Sequence, residues 1–232
     1  MSDLLSQQKV WNHRAINWQD HHYGEPLTPT QPELEFQRKQ LALGGRALVL
    51  GATQGLCNLA LEVSGSVTAV DFAPDSIEVL RMDGVRYECQ DWVTFLENST
   101  VKYDNIMSDG ALTCLEFPGE WQRLSEAAYS SLRPGGIFAA RAFLSTANPP
   151  KDHYDNPNLA GIVPAMARVD ENWMLTLKAR GEREPYDVRY AFPTREVLLQ
   201  TFGKLALKDD FVPTYEEGDR FVTFALQRRD DE

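Results

Sequence analysis

The chain is poor in cysteine: three of its 232 residues are cysteines, Cys57, Cys89 and Cys114. Their odd number and wide spacing, with no C-x-x-C pair, argue against a disulfide framework and against cysteine-based metal sites. We therefore expect three reduced thiols and no metal ion. The N-terminal residues lack the apolar stretch of a signal peptide, and no run approaches the length of a membrane span. These absences predict a cytoplasmic protein without a membrane partner.

Positive charge is also scarce. Lys and Arg number 23 against 34 Asp and Glu, which gives a formal net charge of −11 at pH 7. Nucleic-acid binding needs clustered Lys and Arg to neutralise phosphates, so we expect no nucleic-acid partner. The composition is otherwise ordinary, with 43% hydrophobic residues, and a chain of 232 residues can bury the core of one elaborated domain.

The most informative segment runs from Arg46 to Phe72. An apolar run at 47–50 meets a turn at Gly51, a helix-compatible stretch follows, and a second apolar run ends at Asp71, 20 residues after that glycine. This order predicts a strand, a turn, a helix and a strand. A close turn and a terminal acid are typical of sites that hold adenosine. The carboxylate accepts hydrogen bonds from the ribose hydroxyls. The alternative is a plain strand-ending turn with a helix-flanking acid.

The turn lacks the full glycine pattern of dinucleotide-binding proteins. The pattern G-x-G-x-x-G falls on Gly51, Thr53 and Leu56, so only its first glycine is present, although Gly55 adds another. Three glycines at that spacing let a pyrophosphate approach the backbone. The segment therefore argues against a dinucleotide dehydrogenase.

The rest of the chain continues the same alternation. Thr30 and Glu33 fit a capping box that starts a helix reaching about Leu43, after one or two short helices within 1–24. Alternating strands and helices imply a parallel sheet that is covered on both faces. We predict strands at 46–51, 66–71, 85–89, 103–108 and 137–143, and helices at 54–63, 75–82, 92–97 and 119–132.

The rhythm breaks after the fifth strand. Residues 144–191 form an insertion with a predicted amphipathic helix around 172–178, and a helix at 194–202 follows. The pattern then predicts strands at 212–215 and 221–227 that form a β-hairpin. The predicted fold is α/β: a Rossmann-like three-layer sandwich with a mostly parallel seven-stranded sheet that ends in an antiparallel β-hairpin. Residues 1–45 would form N-terminal cap helices and a linker, and 46–232 the main domain.

Five local motifs carry a resemblance to a known superfamily. Together with the terminal hairpin, they are similar to the class I S-adenosylmethionine (SAM) dependent methyltransferases over about 46–143. The motifs are LGATQGLCNLAL, VTAVDFAPDSI, CQDW, YDNIMSDGAL and LRPGGIFAAR. The resemblance implies SAM as cofactor and methyl transfer to a small-molecule acceptor.

The resemblance also implies roles for particular residues. The backbone at Gly51, Ala52 and Thr53 would lie under the methionine moiety, Asp71 would accept the ribose hydroxyls, and Phe72 would cover one face of the adenine. Asp91 would accept from the adenine amino group, with Trp92 supplying a neighbouring N–H or apolar contact. Taken alone, Asp91 also fits a helix N-cap.

Two positions depart from the superfamily pattern. Its first motif usually has an acid at the position of Val49 and a glycine at that of Thr53. The missing carboxylate ordinarily helps to hold the amino group of SAM. Asp109, at the end of the fourth strand, is the expected substitute, and its alternative reading is a turn-initiating Asp before Gly110.

Catalytic groups are harder to assign, because methyl transfer depends mainly on alignment of the reacting atoms. Asp109, His21 and Tyr154 are the candidates. The N-terminal cluster around His21 could cover the cofactor as a lid, with Trp18 among the cofactor contacts, or could be a polar helix with aromatic anchors. The insertion that contains Tyr154 corresponds to the acceptor-covering segment of the superfamily. Arg141 would suit an acidic acceptor or the SAM carboxylate, or would form a surface ion pair.

Three functional alternatives stay open. The absent acid at Val49 motivates a SAM reaction at a carbon other than the methyl, such as aminocarboxypropyl transfer or cyclisation. A catalytically silent SAM-binding module that regulates a partner is another possibility, and the dehydrogenase comes last. A monomer and a homodimer are both compatible with the sequence.

Overall fold

The computed structural model describes residue 8 and residues 28–143, 162–169, 172–179, 186–192, 194–212 and 221–229, with the backbone alone considered over 162–192. The strands in this part of the chain are β1 Arg46–Leu50, β2 Ser66–Asp71, β3 Val85–Cys89, β4 Tyr103–Asp109, β5 Leu132–Phe143, β6 Ile162–Val169, β7 Asn172–Ala179, β8 Tyr186–Phe192, β9 Ala206–Phe211 and β10 Phe221–Gln227.

Helices alternate with the first five strands and flank the later ones. They are α1 Gln31–Gln40, α2 Gln54–Val63, α3 Pro74–Leu80, α4 Trp92–Asn98, α5 Gly119–Ser131 and α6 Arg195–Thr201, with a 3₁₀ helix at Ala111–Cys114. The capping box is confirmed: the Thr30 hydroxyl accepts from the Glu33 N–H, and the Glu33 carboxylate accepts from the Thr30 N–H. The short helices predicted within 1–24 lie outside the described residues, except that Gln8 is helical.

The main sheet has seven strands in the order β3-β2-β1-β4-β5-β10-β9. Strands β1 to β5 pair in parallel, and β10 is antiparallel to both β5 and β9. The predicted fold class is therefore confirmed, including the antiparallel pair at the end of the sheet. The strand predicted at 212–215 is corrected in position, because the strand that pairs with β10 is Ala206–Phe211 and residue 212 follows its end, while 213–215 lie outside the described residues. Its centre, Lys208 to Asp210, is polar, with Lys208 and Asp209 exposed at the sheet edge, and its sequence resembles a loop.

The helix predicted around 172–178 is wrong. These residues lie in β7, the central strand of a separate three-stranded antiparallel sheet in the order β6-β7-β8. Leu175 and Leu177 alternate with Thr176 and Lys178, which is the period of a strand. Pairing with strands on both sides then fixes the extended form. Strand β8 contacts the 3₁₀ helix that follows β4.

The core lies in two layers, one on each face of the main sheet. Alternate residues of β1 show the division: Leu48 and Leu50 pack toward α4 and α5, whereas Val49 packs toward α2. Fully burying one such side chain contributes about 1.5–3 kcal/mol. Both faces of the main sheet are covered. The loops at the carboxyl ends of its strands form the candidate site.

Candidate functional site

The candidate site lies where the strand order changes direction. From β1 the chain proceeds outward to β2 and β3 on one side, and β4 and β5 lie on the other. Loops after neighbouring strands diverge at such a point and leave a crevice at the carboxyl edge, which is where open α/β sheets bind ligands. Gly51, Asp71 and Asp109 follow or end the strands that border this crevice.

Gly51 makes the first turn of the crevice possible. Its φ of +91° lies in the left-handed region, which residues with a Cβ rarely adopt, although an added Cβ would meet no atom closer than 3.9 Å. Its N–H donates to the Val70 carbonyl over 2.8 Å, which ties the turn to the end of β2. The requirement for glycine therefore comes from the backbone conformation and not from crowding.

The Asp71 carboxylate links the loop that follows β1 to the loop that follows β2. Oδ2 accepts from the Ala52 N–H and Oδ1 from the Ala73 N–H, each over 2.9 Å. Only 9% of the residue is exposed. Burial raises the pKa of this carboxyl, while the N–H groups of Ala73 and Ala52 act in the opposite direction. Each carboxylate oxygen has room for a second hydrogen bond, so both can accept from a diol.

Two aromatic rings adjoin Asp71. Phe72 and Trp92 make an edge-to-face contact with ring centroids 5.7 Å apart. Cζ2 of Trp92 lies 3.9 Å from the Cβ position of Gly51, so this ring borders the glycine turn. The side chain of Gln8 donates to the Phe72 carbonyl over 2.8 Å, which brings the N-terminal part of the chain to the same strand end. The rings offer an apolar wall beside a polar acceptor.

Asp91 is the N-cap of α4. Its Oδ1 accepts from the Thr94 N–H over 2.8 Å, so the capping interpretation from the sequence is confirmed. Among the described residues, no hydrogen bond to the second carboxylate oxygen is seen, and the adenine contact of Asp91 stays a prediction. Next to it, Cys89 pairs with Asp71 across β2 and β3. Burial and the nearby Asp71 charge raise the pKa of the Cys89 thiol.

Asp109 and Arg141 form a buried ion pair. Nε of Arg141 donates to Oδ1 of Asp109 over 2.6 Å, and the side chains are 1% and 6% exposed. The surface ion pair considered for Arg141 is therefore wrong. Nη1 of Arg141 also lies 3.8 Å from Oε2 of Glu33, a residue with no exposed surface. Burial raises the pKa of Asp109, and the Arg141 charge opposes that rise.

Glu33 and Gln8 were missed as site residues in the sequence. Glu33 fits a capping box completely, so the pattern gave no reason to assign it a second partner on β5. The only available signal was its spacing from Gln37, which puts two polar residues on one face of α1. The predicted residues Trp18, His21 and Tyr154 lie outside the described residues.

The described residues include neither a candidate metal site nor a helix that could span a membrane. No group of three or more His, Cys, Asp or Glu side chains there is placed to hold a metal ion. No helix within the same ranges has both the length and the apolar character to cross a membrane.

No family model matches the chain. A ubiquinone biosynthesis O-methyltransferase of Xylella fastidiosa (strain 9a5c) is 32% identical over 140 residues, which cover 56% of this chain. The match spans about half of that enzyme, 54% of its length.

Solved structures resemble the chain over nearly its whole length. A SAM-dependent methyltransferase from Clostridium acetobutylicum ATCC 824 superposes with a TM-score of 0.62 at 15% identity, covering 95% of this chain and 100% of that one. For the 1,6-didemethyltoxoflavin-N1-methyltransferase of Burkholderia thailandensis, bound to its substrate and S-adenosylhomocysteine, the TM-score is 0.67 at 16% identity, with coverages of 97% and 88%. The resemblance seen in the motifs is thereby confirmed, and the chain has the fold of the SAM-dependent methyltransferases.

Proposed function

We propose that this protein transfers the methyl group of SAM to a small-molecule acceptor. The observation that carries the proposal is the buried Asp71 carboxylate, which is fixed by two backbone N–H groups beside the Gly51 turn at the switch point of the sheet. Proteins that share this fold and part of this sequence are methyltransferases of small molecules. A carboxylate, a close turn and an aromatic wall suit a nucleoside-containing ligand.

The residues present fit SAM. Asp71 retains acceptor capacity for the ribose hydroxyls, Phe72 and Trp92 offer apolar contact to the adenine, and Asp91 keeps one oxygen for its amino group. Gly51, Ala52 and Thr53 supply the backbone that passes beneath the methionine moiety, and Asp109 faces the same crevice. When bound, SAM supplies a methyl group that is already activated by its sulfonium.

The residues of the chain then have to hold the reacting groups in alignment. The fixed Asp71 and the left-handed Gly51 hold one end of the site rigid, and rigid alignment accounts for much of the rate of such a displacement. The Asp109 carboxylate is paired with Arg141, so it is better suited to hold charge than to move a proton. His21 and Tyr154 stay candidates for a general base toward an acceptor that loses a proton.

Two segments outside the main sheet would cover the bound molecules. Residues 1–45 would cover the cofactor, with Trp18 among its contacts, and residues 144–191 would cover the acceptor. The contact of Gln8 with Phe72 supports the first role, and the contact of β8 with the 3₁₀ helix after β4 supports the second. We further propose that the protein acts in the cytoplasm, as a monomer or homodimer.

Titration of the purified protein with SAM tests the proposal. We expect binding with one site per chain and the release of a SAM-derived nucleoside when bound material is denatured. A protein that binds neither SAM nor S-adenosylhomocysteine would contradict it.

The buried Val49 favours one second candidate, transfer of the aminocarboxypropyl arm, because no acid stands at that position to hold the arm. Chromatography separates the two reactions, since methyl transfer yields S-adenosylhomocysteine and attack on the arm yields methylthioadenosine.

A further inference from the structure

The three-stranded sheet β6-β7-β8 divides its residues unevenly between its two faces. Successive residues of a strand alternate between the faces, and residues directly opposite each other in an antiparallel pair share one. Leu175 lies opposite both Met166 and Tyr190. Trp173 lies opposite Phe192. One face therefore carries the aromatic residues of these strands, and we call it the aromatic face: Met166, Trp173, Leu175, Leu177, Tyr186, Tyr190 and Phe192.

The opposite face of the small sheet is more polar. The register places Thr176 opposite Arg189 there, together with Lys178. Among the positions that the register places on the aromatic face, Arg168 alone is charged, and it lies in the row of Trp173. Antiparallel sheets commonly turn one face toward the core and the other toward water, and their composition then differs in this way. We therefore expect the aromatic face to be the one that is removed from water.

The position of β8 joins this sheet to the candidate site. Strand β8 lies against the 3₁₀ helix Ala111–Cys114, which begins two residues after Asp109 and is buried throughout. Gly110 ties that helix to the strand ends, because its N–H donates to the Arg141 carbonyl over 3.0 Å and its carbonyl accepts from the Thr113 N–H over 3.1 Å. One edge of the small sheet is therefore held at the β4 side of the crevice.

The crevice consequently has two sides with different roles. On the side of β2 and β3, Asp71, Phe72 and Trp92 form the part that we propose for adenosine. The small sheet is held on the other side, beyond the end of β4. A molecule that receives the methyl group has to reach the cofactor from outside the adenosine part, so the aromatic face continues from the side by which an acceptor enters.

We propose that the aromatic face binds the acceptor, and that the acceptor is a largely apolar molecule with an aromatic ring. Small-molecule sites are lined mainly by apolar and aromatic residues, and aromatic rings pair favourably in offset or edge-to-face arrangements. The inference rests on the proposed function and adds a substrate class to it.

Calorimetry on the full chain loaded with S-adenosylhomocysteine tests the substrate class. The probes are para-alkylphenols with chains from methyl to hexyl, and glucose is the polar counterpart. Burial of one methylene group in apolar surroundings strengthens binding about fourfold. We expect the affinity for the alkylphenols to rise by about that factor with each methylene, and glucose not to bind. Alkylphenol affinities that do not depend on chain length would overturn the inference.

Two neighbouring substitutions locate the bound probe. Leu175→Ala removes apolar volume from the aromatic face, and Met174→Ala is the matched control, because Met174 is the adjacent residue of β7 on the opposite face. Leu175→Ala should weaken the binding of para-hexylphenol about fivefold or more, while the control should bind it as the wild type does. Equal losses in the two variants, or no loss in Leu175→Ala, would contradict binding at the aromatic face.

Further measurements separate the remaining outcomes. Tyr190→Ala, on the neighbouring strand, replaces Leu175→Ala if that variant fails to fold, and the same loss is expected. Light scattering reports the oligomeric state: a dimer that Leu175→Ala dissociates without any loss of probe binding would assign the face to a second copy of the chain and overturn the inference. A wild type that binds no S-adenosylhomocysteine contradicts the proposed function itself, which is a different result from binding it without the alkylphenols.

Discussion

Replacement of Asp71 by alanine is the substitution with the largest expected effect on cofactor binding. The carboxylate is held by the N–H groups of Ala52 and Ala73, so it is already positioned before a ligand arrives. A hydrogen bond to a charged group contributes about 1.5–3 kcal/mol. Asp71→Ala should therefore weaken SAM binding about 10- to 150-fold.

The same substitution also affects the protein without ligand. It leaves two buried N–H groups without their acceptor, and an unsatisfied buried donor costs about 1–3 kcal/mol. A urea titration should thus show a lower free energy of unfolding for Asp71→Ala. Calorimetry at a temperature where the variant is fully folded then isolates the binding term.

Glu78→Ala serves as the control, because Glu78 is an exposed acid on α3 close to the same strand end. Its SAM affinity should match the wild type. A folded Asp71→Ala protein with an unchanged dissociation constant for SAM would remove Asp71 from the site and refute the reasoning from the strand end to the ribose.

Three further predictions follow from the same geometry. Gly51→Ala should lower the free energy of unfolding by about 1–2 kcal/mol, the cost of a left-handed conformation with a Cβ, and a urea titration that shows no change would contradict the strain argument. Burial raises the pKa of Asp71 above its ordinary 3.8, so without ligand its contribution is most favourable below that value and is lost as the pH rises through the raised pKa. The unfolding free energy of the wild type relative to Asp71→Asn should therefore fall with rising pH in that window, and a difference independent of pH would contradict it. Finally, SAM should slow amide exchange around Gln8, which bonds to the Phe72 carbonyl, and equal exchange with and without SAM would separate the N-terminal segment from the site.

The central part of the fold could be predicted because its strands are buried on both faces. Runs such as 47–50 are continuously apolar and end at residues with clear turn or capping chemistry, here Gly51 and Asp71. The carboxyl ends of parallel strands lie at the same edge of the sheet. Local patterns were therefore enough to place Asp71 beside the turn. The Asp91 cap was equally readable, since it depends on a residue only three positions away.

Other features depend on contacts between distant residues. The edge strand β9 is polar and exposed, and pairing with β10 makes it a strand although its local sequence resembles a loop. Strand β7 likewise takes its form from two partner strands. The contact of Glu33 with Arg141 joins residues far apart in the chain, and a capping box gives no sign of it.

We propose that this site uses SAM as a methyl donor. The most direct test incubates the protein with SAM and a mixture of small metabolites, and then resolves the nucleoside products by chromatography. We expect S-adenosylhomocysteine that depends on the wild-type protein and is strongly reduced with Asp71→Ala. Methylthioadenosine in the absence of S-adenosylhomocysteine would contradict methyl transfer while leaving the fold and the SAM site in place.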